Sequence, residues 1–313
     1  MSTQPAPTAR DEQTPDAQDP TDGGKRSKGK HKEGAVERRS TAQKIGKTAL
    51  LGVIVFWCLF PFAWLISTSL KQGDAALNDP NMLQGPFGFD NYVSVMEQGF
   101  GFNLLNSLVV AGTTTVLCVV IGSLAAYALA RLPLKKKVIW LTIILAVNLF
   151  PPVSLVPPLY ELWRGLGLLN TYPGLYIPYT AFTLPLTIFI LTTFFASIPK
   201  DLDEAARVDG ASPFQTFWKV VMPLAAPGVF AAAIIIFVTA WNEFLLASTF
   251  APRDLAAQTV PVAIAAFTGS VQFQRPIGTI TAACVIVTIP MIILALVFQK
   301  RIVSGLTAGG VKG

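Results

Sequence analysis

Residues 50–66 read LLGVIVFWCLFPFAWLI, with no charged, amide or hydroxyl side chain. Wound as a helix, this stretch is apolar on every side. Laid out as a strand, it lacks the apolar–polar alternation of a membrane β-barrel. A helix that is apolar all round lies in a large core or in lipid, and composition decides for lipid. Hydrophobic residues make up 52% of the 313-residue chain and charged residues 13%, with a mean hydropathy of +0.53, whereas about a quarter of a soluble domain is charged. Comparable runs recur at 48–70, 104–130, 138–159, 173–196, 225–250 and 277–298. Each approaches the roughly 20 residues that cross about 30 Å of hydrocarbon as a helix. Backbone groups in lipid must be satisfied within the segment, so the expected fold class is an all-α integral membrane protein with six transmembrane helices.

Lys and Arg set the orientation, because cytoplasmic loops retain them. With the N-terminus inside, the inside segments hold 20 of the 24 basic residues; Lys71, Arg164, Arg253 and Arg275 remain outside. Both termini are therefore expected in the cytoplasm, with residues 198–223 on the same side. Residues 1–40 are rich in Pro, Gly, Asp and Thr before the basic run KRSKGKHKEG, and they are expected to form a disordered basic cytoplasmic tail. The first apolar run begins too far from the start for a cleavable signal peptide. The basic run fits a solvated flank or a contact with anionic lipid head groups, and not nucleic acid, since no binding fold accompanies it.

Within this tail Gly24 to His31, GKRSKGKH, imitates a phosphate-binding loop, but His31 stands where Ser or Thr must reach Mg²⁺ and no strand precedes it. The chain is thus expected to have no nucleotide site of its own. Cys58, Cys118 and Cys284 fall in apolar runs at unrelated spacing, as small buried hydrophobes do. His31 is the sole histidine, which removes histidine-based triads and zinc sites. Neither catalysis nor a bound metal is expected.

Charge reappears between two apolar runs, in SIPKDLDEAARVDGASPFQTFWKVVMP at 197–223. Pro199 suits a helix start, Asp201, Asp203 and Glu204 complement the positive end of the helix dipole, and Gly210 suits the left-handed stop. Ser212 then reads as the N-cap of a second helix begun by Pro213, with Phe214, Phe217, Trp218 and Val221 on an apolar face. The expectation is a helix–turn–helix lying at the membrane surface, with a small-residue crest at Ala205 and Ala206 flanked by Glu204 and Arg207.

At these residues the chain resembles the inner-membrane permease subunits of ATP-binding-cassette (ABC) importers. Their signature is E-A-A, three residues, G, nine residues, I-x-L-P. Glu204, Ala205, Ala206, Gly210 and Pro223 match at that spacing, with Val220 and Met222 replacing the usual Ile and Leu. Within that family the resemblance is closest to permeases of maltose-type carbohydrate importers. It is carried by NSLVVAGTTTVLCVVIGSLAAYALAR (106–131), WNEFLLA (241–247), TVPVAIAAFTG (259–269) and the C-terminal QKRIVSGLTAGGVKG (299–313), and covers about residues 45–313. PVAIAAFTGSVQF and the C-terminal stretch look most like permeases of trehalose importers.

The resemblance implies the type I ABC importer permease fold over 45–313, in a bacterial plasma (inner) membrane. It implies a homologous second permease, an ABC ATPase dimer that binds ATP and Mg, an extracytoplasmic sugar-binding protein or lipoprotein, and a di- or oligosaccharide substrate. It makes 198–223 a coupling loop: Glu204, Ala205, Ala206, Arg207, Asp209, Gly210 and Pro223 would pass ATPase closure to the pore by rigid-body alternating access. An alternative is a permease for another ABC substrate. A secondary transporter would need ionisable relays in the membrane and usually an internal repeat, and five of the six runs carry no charge.

The exception is Glu243, beside Asn242. A carboxylate at the bilayer centre costs about 2.5–3.5 kcal/mol. Three readings stand: a sugar pathway or gating contact formed with Asn242, structural packing, and exposure at the outer interface. Gly122, Ala126 and Ala130 form a small-residue ladder suited to close helix packing. Trp140, Tyr160, Trp163, Tyr172 and Tyr176 read as interfacial anchors. Loops 71–103, with Asp74, Asp79, Asp90 and Glu97, and 249–276 are expected to form the floor on which the binding protein docks.

Overall fold

The computed structural model describes residues 27–73, 75–78, 81–252, 256–267 and 276–310. All regular structure among them is helical, apart from one isolated bridge between Lys71 and Phe87. Two compact units meet at Pro61. The first, up to Pro61, consists of most of α1 (Ser27–Leu70). Residues 1–26, including most of the expected tail and part of the imitation phosphate loop, lie outside the described residues. From Ser27 the described backbone is helical. The Lys, Glu, Ala, Arg and Gln residues there are good helix formers, and extending an existing helix needs no new nucleus.

The second unit begins at Phe62. After α1 come two short helices, α2 (Ala75–Asn78) and α3 (Asp90–Glu97). The side chain of Asn91 donates to the Ser69 and Lys71 carbonyls at 2.9 and 2.7 Å, which pins α3 against the end of α1. Asp74 and Asp79 lie outside the described residues. Next is α4 (Phe100–Arg131), a helix long enough to span, and then a third run that differs from expectation.

Instead of one helix at 138–159 there are α5 (Lys137–Ala146), a 3₁₀ turn (Val147–Leu149) and α6 (Pro152–Gly165), with the two arms bent by 82°. The cause is Pro151–Pro152. Phe150 and Pro151 are extended (ψ 125° and 123°), since a residue before proline is pushed out of the helical region and proline brings no N–H to continue the ladder. Counting the bent pair as one span gives six candidate spans.

Helix α7 (Tyr172–Ser197) is followed by α8 (Asp201–Val208) and α9 (Pro213–Thr216). A π-helical turn (Phe217–Val221) then joins α9 to α10 (Met222–Trp241). The fifth span therefore starts at Pro213 and ends at Trp241, where the sequence suggested 225–250. Helices α11 (Leu245–Phe250), α12 (Val260–Phe267) and α13 (Ile277–Gly310) complete the unit. Arg253, Arg275 and residues 268–275 lie outside the described residues.

The centre of this unit is the packing of α4 against α7 and α10. The small-residue ladder does what its spacing suggested. A Cβ added at Gly122 would sit 2.7 Å from the Thr187 methyl, so α4 and α7 touch through the glycine. Gly228 on α10 likewise leaves room for the Phe194 ring. Ala126, Leu191, Phe195, Val221 and Ala232 fill the core between the three helices. Of the expected anchors, Trp140 is exposed, whereas Trp163 and Tyr172 turn their polar tips into the protein. Trp163 is buried and donates from Nε1 to the Gly174 carbonyl at 2.7 Å, and the Tyr172 hydroxyl bonds the Asn106 side-chain oxygen at 2.7 Å. A polar tip satisfied inside the protein has no need of the interface.

Candidate functional site

The charged loop 198–223 is built on three helix ends, those of α4 and α7 and the start of the fifth span. Lys200 leads into α8, whose first turn holds Asp201, Asp203 and Glu204. The helix closes at Gly210, with φ +81°, a conformation that lacks a steric cost only for glycine. Ser212 caps the next helix more completely than the sequence reading supposed. Its hydroxyl accepts from the Gln215 N–H at 3.3 Å, and the Gln215 side-chain oxygen accepts from the Ser212 N–H at 2.8 Å.

The second helix does not lie apart as the closing arm of a helix–turn–helix. It runs straight into the fifth span through the π turn. Pro223, the last residue of the family signature, stands at the start of α10 directly after that turn, where the missing proline N–H is accommodated by the change of ladder. Of the expected apolar face, Phe217 and Val221 are buried, while Phe214 and Trp218 are exposed. Phe217 packs on Tyr127 of α4 (ring centroids 5.1 Å apart) and Phe195 of α7 (6.3 Å). It joins three helices at one point.

Helix α8 has two faces. Ala206 and Asp203 point inward, so Ala206 is not part of an outward crest; Ala205 is. Exposed with Ala205 are Leu202, Glu204, Arg207, Val208 and Asp209, and Val208 is 88% exposed. Leu202, Ala205 and Val208 recur every three residues and form an apolar stripe flanked by a carboxylate and a guanidinium. The inward face holds a pair that sequence reasoning missed. Arg131, the last residue of α4, approaches Asp203 at 3.0 Å, Nη1 to Oδ2, with side-chain exposures of only 2% and 9%. Its Nη2 donates to the carbonyl of Ile198, just past the end of α7, at 2.6 Å. The available signal was a basic residue ending an apolar run and an acidic residue one position before the family motif.

The other candidate residues sit at the opposite end of the fifth span. Asn242 ends α10 with φ −91° and ψ 2°; it is exposed, and its side-chain N–H donates back to the Val238 carbonyl at 2.8 Å. Glu243 is half-buried and outside any helix, just past the end of the fifth candidate span at Trp241. Its two carboxylate oxygens accept from the Leu246 N–H at 2.8 Å and the Ala247 N–H at 3.0 Å. These are among the N–H groups that a new helix leaves unpaired, and a carboxylate there also suits the helix dipole. The Tyr179 hydroxyl, buried on α7, lies within electrostatic reach of this carboxylate but outside hydrogen-bond geometry.

Beyond α11 the chain is held to α4 by a buried polar cluster. The side-chain N–H groups of Asn103 and Asn106 both donate to the Gln258 carbonyl at 3.0 Å, and the Ser107 hydroxyl accepts from the Val260 N–H at 2.8 Å. Glu243 and this cluster thus fix both ends of the segment between α10 and α12. Among the described residues no group of His, Cys, Asp and Glu is arranged to hold a metal ion.

Residues 118–307 match the family model described as the inner membrane component of binding-protein-dependent transport systems. The chain is 45% identical over 277 residues to a trehalose transport system permease protein of Mycobacterium tuberculosis, covering 88% of this chain and 99% of that one. It is 44% identical over 268 residues to a trehalose/maltose transport system permease protein of Thermococcus litoralis, covering 85% and 95%. Its fold is similar to a chain in the crystal structure of a bacterial ABC transporter that imports the acidic polysaccharide alginate, with a TM-score of 0.70 at 24% identity, over 84% of this chain and 97% of that one.

Proposed function

The chain belongs to the family of binding-protein-dependent transport system inner membrane components, and from that premise we propose that it is the pore-forming permease of an ATP-driven sugar importer. It works with a homologous second permease, an ABC ATPase dimer and an extracytoplasmic sugar-binding protein. ATP and Mg belong to the ATPase, and the permease itself carries no cofactor. Trehalose is the first sugar to test and maltose the second, following the two relatives at 44–45% identity.

The observation that carries this reading is the two-faced α8. A docking helix must present groups to a partner and be braced from behind, and α8 has Glu204, Ala205, Arg207 and Val208 on its free side with Asp203 and Ala206 against its own chain. Asp209 and Gly210 end it, and Pro223 marks where the loop passes into the fifth span. The bias of Lys and Arg puts this end, with both termini, in the cytoplasm. Asn242 and Glu243 then lie toward the outer side, near the sugar's entry, with Asn242 the more exposed of the two.

Closure of the ATPase dimer would push α8, and the helices it abuts would exchange inward-open for outward-open states. Labelled trehalose and maltose, offered to a strain lacking the gene and to the complemented strain, test the reading. Restored, ATP-dependent accumulation of either sugar supports it. Accumulation that survives removal of the ATPase would overturn it in favour of a secondary transporter, and restored uptake of only some other solute would overturn the sugar assignment.

A further inference from the structure

We propose that Arg131 is a positioning residue that transmits the movement of α8 to the membrane-spanning helices. The inference rests on the proposed importer function and adds to it the route by which force leaves the loop. Arg131 is where three elements meet: its backbone ends α4, one guanidinium nitrogen sits on Asp203 of α8, and another donates to the Ile198 carbonyl at the end of α7. The planar guanidinium presents two nitrogens at a fixed spacing, one donating to the carbonyl and the other facing the carboxylate as an ion pair, a span that a compact ammonium lacks.

Stability is a weak reason for such a pair. Among the described residues Asp203 Oδ1 and Arg131 Nε and Nη1 have no hydrogen-bond partner, so the Nη1–Oδ2 contact is an ion pair without hydrogen-bond geometry, and a buried ion pair left incompletely bonded gains little over apolar residues of the same volume. What the pair does supply is a directed link. Without it, α8 still rests on α9 and the π turn, which lead into the fifth span, but α4 loses its polar connection to the helix. A partner pressing on Leu202, Ala205 and Val208 would then move the fifth span while α4 and α7 lagged behind. Alternating access requires these helices to move as one body.

The test uses the complete importer in proteoliposomes, with binding protein and labelled trehalose, and reads two quantities: ATPase recovered with the permease, and sugar imported per ATP hydrolysed. Arg131→Gln and Asp203→Asn are each expected to retain the ATPase, since the exposed face of α8 is intact, and to lower sugar per ATP by about fivefold or more. The double variant should lose no more than either single one, because both remove the same link. If Arg131→Gln fails to assemble, Arg131→Lys decides: it keeps the charge but not the fork, and sugar per ATP is expected to fall with assembly retained. A ratio equal to wild type in any assembled variant, or losses that multiply in the double variant, would overturn the proposal. Wild-type proteoliposomes that move no sugar at all would instead sink the importer reading on which it rests.

Discussion

Replacing Glu243 separates its capping role from a role in the sugar pathway. Its carboxylate accepts from the N–H groups of Leu246 and Ala247, and both of these residues are buried. Leaving one buried N–H unsatisfied costs about 1–3 kcal/mol. Glu243→Ala strands two, and even at the lower bound α11 loses about 2 kcal/mol against local opening. At about 1.4 kcal/mol per factor of ten, the amides of 245–250 should exchange with solvent on the order of 30 times faster. Glu243→Gln keeps one carbonyl oxygen, and the effect should fall to about half in free energy, or roughly a fivefold change in rate. Hydrogen exchange read by mass spectrometry on the purified complex measures both, alongside trehalose uptake. Equal protection in Glu243→Ala and wild type would refute the capping argument. A Gln variant with near-normal protection but altered sugar preference would return Glu243 to the pathway.

Glu204→Lys reverses an exposed charge on α8 and is expected to reduce recovery of the ATPase during co-purification while leaving the permease in the membrane. Gly210→Val puts a β-branched residue at φ +81°, at a cost of about 1–2 kcal/mol, and should lower uptake with little change in membrane insertion. Gly122→Val drives side-chain carbon into Thr187; overpacking of this kind costs about 1–3 kcal/mol and should appear as a lower melting temperature in detergent. Deleting residues 2–26 should leave uptake close to wild type, since Lys44, Lys47 and the inner loops keep most of the positive bias.

Much of this was legible because lipid makes harsh demands. Six runs and the helical class follow from length and hydropathy, and the α8 boundaries follow from Gly210 and the acidic first turn. Breaks within the runs were harder to see. Hydropathy is blind to the Pro151–Pro152 bend, since two prolines scarcely change the mean, and it merged α10 with α11 because Asn242 and Glu243 are too few to interrupt an apolar window. Capping geometry, not polarity, ends the fifth span there. The Arg131–Asp203 pair joins positions 72 residues apart in sequence, and pairing at that separation leaves no periodic trace. The facing of Ala206 escaped for the same reason: a short helix between two turns does not declare its inner side until the tertiary partners are known.

The unbroken run from Pro213 to Trp241 has a consequence for how this segment can vary. Apart from Thr216 and Trp241 at its two ends, its buried positions, Phe217, Val221, Ala225, Gly228, Ala232, Ile236 and Ala240, succeed one another at steps of three or four and keep one flank inward. A single inserted residue would swivel everything beyond it by about 100° and turn that flank toward lipid. The segment is 29 residues long, about 40 Å at 1.5 Å per residue, so a tilt of 10° about its loop end would swing Asn242 through about 7 Å. Such a shaft tolerates changes of side chain but not of length, and homologues are expected to place insertions and deletions in the connections on either side of it.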